Sequence, residues 1–185
     1  MHRQELLRLL RQHQTRFMEE ASYLKHAIDF VEQHEDAFYR ELRPAHVTAS
    51  AWVVSPDRTQ VLMLLHGKHH QWFQPGGHAD GEPDVMAVAL RELAEETGLD
   101  SAQIRLLDEQ VFDVDIHAIP AHDDDSAHGH IDVRFLVEID NTLPVPGNDE
   151  SHEVRWVPLY EVPRYNNNRS TYRMLEKTRR LSHLV

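Results

Sequence analysis

Cysteine is absent from the chain. That excludes disulfides, thiolate zinc sites and thiol nucleophiles together. No run of 18 apolar residues occurs and no signal peptide is read, so a cytoplasmic protein with no membrane segment is expected. Positive charge is also scarce: 19 Lys and Arg stand against 31 Asp and Glu, giving a formal charge of −12. A surface for duplex nucleic acid would need clustered Lys and Arg, so such a partner is not expected. An acidic protein that handles an anionic substrate needs a metal to bridge the two. What is plentiful is apolar residues, at 41% of 185, enough for one domain with a sizeable core. Histidine is also frequent, with 15 copies.

The chain is organised around residues 74–99. Gln74-Pro75-Gly76-Gly77-His78 forms a glycine-rich loop, and a helix is expected over 83–97, opened by Pro83 and closed by Gly98. Met86, Ala89, Leu90, Leu93 and Thr97 share a mostly apolar face. Glu92, Glu95 and Glu96, spaced i, i+3 and i+4, fall on an adjoining face. Three crowded carboxylates repel one another, and a hard divalent cation such as Mg²⁺ or Mn²⁺ relieves that repulsion. A solvated acidic face is the plainer account of the same pattern.

Gly77, Arg91-Glu92-Leu93, Glu95-Glu96 and Gly98-Leu99 resemble the Nudix box, G-x5-E-x7-R-E-U-x-E-E-x-G-U, in which U is a bulky aliphatic residue. The match departs at one point, where the family's glutamate between the glycine and the arginine is replaced by Pro83. Glu82 lies one residue early and Asp80 three early. The resemblance implies an α+β Nudix fold, an α/β/α sandwich with a mixed sheet. It also implies metal-dependent hydrolysis of a pyrophosphate bond in a nucleoside diphosphate linked to another group. Glu95 and Glu96 would be the principal metal ligands, assisted by the backbone at Gly76 or Gly77. Glu92 would be a ligand or the base aligning the attacking water, and Arg91 would orient a glutamate through a bidentate pair. Glu150, with Glu153 behind it, would supply the further acidic group that relatives place in this loop. The family habit of dimerising implies a homodimer.

Outside the box, residues 1–43 read as a helical appendage to a domain spanning 44–185. Phe17, Ala21, Leu24, Ile28 and Val31 mark one apolar stripe, and Glu35-Asp36 is expected to open a short third helix ending at Pro44. From His46 the period becomes two, and strands are expected over 47–54 and 61–65, with a short element at Trp72-Phe73 and a return to the sheet at 104–107. A hairpin follows. Asp113, Asp115 and His117 alternate along its first strand, and His128, His130, Asp132 and Arg134 along its second. Cross-strand pairing would align these two polar rows around one ligand, with His117, His130, Asp132 and Arg134 as substrate-binding candidates; a water-facing sheet surface is the alternative. The last strand is expected over 154–157, and a final helix capped by Asn168 or Ser170.

His66, His69, His70 and His78 surround the loop, and His117, His128 and His130 decorate the hairpin. Imidazole suits Mn²⁺ or Zn²⁺ better than Mg²⁺, and His78 has the strongest claim as a metal ligand because it follows Gly77. Ordinary polar packing is the alternative for any one of them. The Gly-His step also looks like the isopentenyl-diphosphate isomerase branch of the fold. That branch places a cysteine just before the step, where this chain has Gly76. A third reading is a catalytically weak Nudix-like sensor that binds a nucleotide without cutting it.

Overall fold

Alternating residues from Val47 onward build β1 (Ala45–Val54), and every residue after Ala45 is buried. In this computed structural model the described residues are 2–67, 71–121, 126–148 and 151–181. Among them α1 (Gln4–Gln12) and α2 (Met18–Gln33) precede β1. β2 (Gln60–His66), β3 (Gln71–Phe73) and β4 (Gly76–His78) lead into α3 (Val85–Thr97). β5 (Arg105–Leu106), β6 (Asp113–Ile119), β7 (His128–Glu138) and β8 (Ser151–Pro158) complete the strands, followed by α4 (Val162–Tyr165) and α5 (Arg169–Leu181). The fold is α+β, with helices and one eight-stranded mixed sheet. Its order is β3-β2-β1-β7-β5, with β4 paired to β1, β6 to β7 and β8 to β2.

The chain divides into two compact units, each discontinuous in sequence. The first comprises Met1–Ser50, Gly76–Ala89 and Glu109–Phe135. Here α1 buries Leu6, Leu7, Leu9 and Leu10. The buried face of α2 carries Glu20, Ala27, Phe30 and Val31. The expected stripe is therefore rotated: Ala21 is exposed, and with Leu24 and Ile28 it lines an open groove. Glu20 replaces an apolar residue because its carboxylate is fully used. It accepts from the backbone N–H of Val114 at 3.2 Å, bonds the Thr15 hydroxyl and lies 2.7 Å from His13 Nε2. The expected third helix does not form. Turns at Tyr39 and Leu42 carry the chain instead, and Phe38 is buried among them.

The second unit comprises Ala51–Pro75, Leu90–Asp108 and Leu136–Val185. Its core gathers Ala51, Val53, Leu62, Leu93, Val137 and Ile139. β2 is flanked on both edges, by β3 and by β8 over Gln60↔Pro158 to His66↔Ser151, and its consecutive apolar residues Val61, Leu62, Met63 and Leu64 are all buried. Asn168 caps α5 by accepting from the Thr171 N–H at 2.7 Å.

Candidate functional site

Two groups of polar side chains stand out, one buried and one exposed. The buried group lies in the first unit. β6 and β7 pair as the expected hairpin, with Asp113 opposite Arg134, Asp115 opposite Asp132 and His117 opposite His130. Side chains two apart on a strand share a face. That face of the hairpin meets Thr48 and Ser50, the polar residues of β1. Asp132 accepts from Ser50 Oγ at 2.9 Å and from Thr48 Oγ1 at 3.3 Å. Arg134 donates to Asp132 at 2.7 Å and to Asp113 and Asp115 at 3.2 Å each. Burial alone would lower the Arg134 pKa; Asp132, Asp115 and Asp113 outweigh it and raise the value. The polar row is thus a buried ion network and not a water-facing surface. The Arg134 guanidinium, 3% exposed, is turned to these three carboxylates.

At the other end of the same rows lie histidines. β4 pairs with β1 through Thr48↔His78, Ala49↔Gly77 and Ser50↔Gly76. The strands approach so closely at Gly76 that a Cβ there would fall 2.3 Å from the Ser50 Cβ and 2.7 Å from the Ala49 carbonyl oxygen. Only glycine fits, which accounts for the first glycine of the loop. His46 and His128 are buried, at 1% and 7% exposure, while His78 and His130 are half-buried. One nitrogen from each ring lies within 4.8 Å of the corresponding atoms of the other three. Burial is the largest cause of the lowered pKa values of His46, His78 and His130, with neighbouring basic groups adding to it. His78 falls to about 4, with Arg40 and His46 next in effect. His130 falls to about 2, with His78 and His117 next. His46 is lowered as well, with a backbone group of Leu42 opposing in part. These three rings are therefore neutral at physiological pH, with lone pairs available.

The exposed group is on α3. The helix begins at Val85, two residues later than expected, because Asp84 is the cap: its carboxylate accepts from the Ala87 N–H at 3.0 Å. Pro83 lies just outside. Glu82 accepts from the Asp84 N–H at 3.0 Å, and Asp80 is paired with Arg40. Val85, Val88, Ala89, Leu93 and Thr97 are buried, and Gly98 closes the helix with φ +70°. The packed face leaves Glu92, Glu95 and Glu96 on the accessible side. Arg91 reaches two of them. It donates to Glu92 at 2.8 Å, and its Nε lies 3.9 Å from Glu95. Glu95 is 61% exposed. The three carboxylates share a ridge, but among the described residues only the histidines bring three or more donors within 4.8 Å of one another.

Of the expected site residues, the structure joins His78, His130, Asp132, Arg134 and His117 through the hairpin and its partner strands. Arg91, Glu92, Glu95 and Glu96 lie together on α3, and Gly77 sits on β4. Glu150, Asp149, His69 and His70 lie outside the described residues. His46 is the residue that sequence reasoning missed. The available signal was its place two residues before Thr48 and four before Ser50, at the head of the same polar row.

A family model described as NUDIX domain matches residues 44–178. The chain is 29% identical over 128 residues to "Phosphatase NudJ" of Escherichia coli (strain K12), an alignment covering 68% of this chain and 76% of that protein. It is 27% identical over 95 residues to "Probable DHNTP pyrophosphohydrolase" of Lactococcus lactis subsp. cremoris (strain MG1363), spanning 51% of this chain and only 54% of that relative's length. Among solved structures, a C. elegans Ap4A hydrolase binary complex superposes with a TM-score of 0.61 at 18% identity, covering 75% of this chain and 98% of that one.

Proposed function

The chain belongs to the Nudix family and is a hydrolase of that family, and on this premise we propose that it cleaves a pyrophosphate bond in a nucleoside diphosphate linked to another group, with Mg²⁺ or Mn²⁺ held on α3. The observation that carries this reading is the ridge of Glu92, Glu95 and Glu96 on the accessible side of a helix whose other face is buried. Its donors are hard carboxylate oxygens, which suit these cations. The ion, when bound, neutralises substrate phosphates and makes water acidic enough to be deprotonated near neutral pH.

The remaining work falls to this chain's side chains. Glu95 and Glu96 are the ligands. Glu92, fixed by Arg91, serves as a ligand or accepts the proton of the attacking water. The Gly77 backbone assists as a ligand, and Glu150 supplies one more acid. His117, with a side chain 40% exposed, remains the hairpin's candidate for a substrate contact. We assign Asp132 and Arg134 to the frame that holds the hairpin, because the arginine's donors already engage three carboxylates.

The test is product release from a panel run with Mg²⁺ and Mn²⁺ in parallel. The panel holds nucleotide sugars, dinucleoside polyphosphates including Ap4A, and DHNTP, the last two chosen from the names of relatives. Glu96→Gln should lower turnover by at least about tenfold, equivalent to roughly 1.4 kcal/mol in the barrier. Unchanged turnover in that variant overturns the assignment. A nucleotide that raises the melting temperature but releases no product would favour the sensor reading.

A further inference from the structure

The four clustered imidazoles have no role in the hydrolysis proposed above. They come from three strands: His46 from β1, His78 from β4, and His128 and His130 from β7. The His46 ring centroid lies 5.1 Å from that of His78 and 5.0 Å from those of His128 and His130. Both ring nitrogens of His46 are buried, and the Leu42 backbone beside the ring does not reach full hydrogen-bond geometry. An unsatisfied buried polar group costs about 1–3 kcal/mol, so a further partner would stabilise this ring.

The orientation of His128 says what kind of partner fits. Its Nδ1 lies 2.8 Å from the Ser126 carbonyl oxygen, a group that only accepts, so Nδ1 carries the hydrogen. Nε2 is left with its lone pair, 3.2 Å from His130 Nε2. A carbonyl fixing the outer nitrogen so that the inner one can bind is the usual arrangement around a metal-bound histidine. Two nitrogens held on a tetrahedral ion at about 2.0–2.1 Å stand roughly 3.3–3.4 Å apart, close to the spacing found here. The wider separations in the cluster need only small ring movements to close. A direct hydrogen bond between the two Nε2 atoms would occupy that pair alone and leave the His46 ring without a full hydrogen bond.

We infer that His46, His78, His128 and His130 form a site for one divalent transition-metal ion of the zinc class, with all four donors imidazole nitrogen. Four neutral nitrogens suit a borderline-soft ion and discriminate against Mg²⁺, which prefers oxygen. Four protein ligands also leave no open position, so the ion is structural: it ties β1, β4 and β7 together. The inference stands apart from the hydrolase reading and does not depend on the α3 carboxylates.

Cobalt(II) is the probe, added to untagged full-length protein after dialysis against EDTA. The expected result is one equivalent with the intense visible absorption of tetrahedral cobalt, displaced by Zn²⁺ and not by excess Mg²⁺. The melting temperature should rise with cobalt. His46→Gln should weaken uptake roughly hundredfold or more, about 2.7 kcal/mol of binding. His26→Gln, an exposed histidine on α2, should leave the tetrahedral absorption unchanged, as should Glu96→Gln. If His46→Gln does not fold, His130→Gln gives the same reading. Absence of tetrahedral absorption, or absorption that survives both substitutions, or tetrahedral absorption lost in Glu96→Gln, overturns the site.

Discussion

The interior polar layer of β1, β6 and β7 and the outer ridge of α3 use charge in opposite ways. Inside, three carboxylates are hydrogen-bonded to one buried guanidinium and His46, His78 and His130 stay neutral, so the charges there are held by one another out of water. On the ridge, Arg91 bonds Glu92 and lies near Glu95, and the Glu95 side chain is exposed to solvent. Removing a charge from the first should cost the fold. Removing one from the second should cost chemistry alone. The difference follows from solvent: a buried ion stripped of its partner cannot be rehydrated, whereas an exposed one can.

Arg134→Met gives the sharpest break. It leaves Asp113, Asp115 and Asp132 facing one another without a cation, and should destabilise the protein by about 3–5 kcal/mol in urea unfolding at neutral pH. A loss below about 1 kcal/mol would mean the network is wetter than its burial indicates. Glu95→Gln is the matching change on the ridge. It should shift unfolding by no more than about 0.5 kcal/mol, because the side chain is 61% exposed and its contact with Arg91 is long. The same variant should lose about tenfold or more in turnover. Comparable stability losses in the two variants would erase the contrast.

Acid should reach the interior first. His78 and His130 have folded-state values of about 4 and about 2, below the ordinary 6.5 of the free ring. The unfolded chain therefore binds more protons below pH 6.5, and stability falls as pH drops from there through the His78 value. Melting of EDTA-treated protein should decline between about pH 6.5 and 4.5, and His78→Asn should flatten part of that decline. A decline identical in the variant would remove His78 as a cause. This is the smallest of the three effects, since other groups also titrate in acid.

The contrast explains which features were legible beforehand. The α3 ridge, its apolar face and Gly98 are local patterns within one helix, and they emerged as read. The hairpin and the shared face of its polar rows also followed from alternation, because its two strands are neighbours in sequence. His46 was missed because its partners are distant along the chain, and only the pairing of β1 with β4 and β7 assembles them. The sense of the polar row was open for the same reason: alternation shows that one face is polar, not what covers it. The α2 stripe failed through Glu20, whose burial depends on a backbone amide of β6 that helical periodicity cannot reveal. The start of α3 was misplaced because Pro83 and Asp84 both signal a helix opening, and the aspartate's hydrogen bond decided it.

Glu20 has a practical consequence as well. β6 pairs only with β7 among the described strands, so its other margin is a template on which a second molecule could polymerise, and the Glu20 carboxylate occupies an amide there. An expression fragment trimmed to begin at residue 44 would strip that guard. Such a fragment should precipitate or form fibrils even though it retains the whole length that the family model matches.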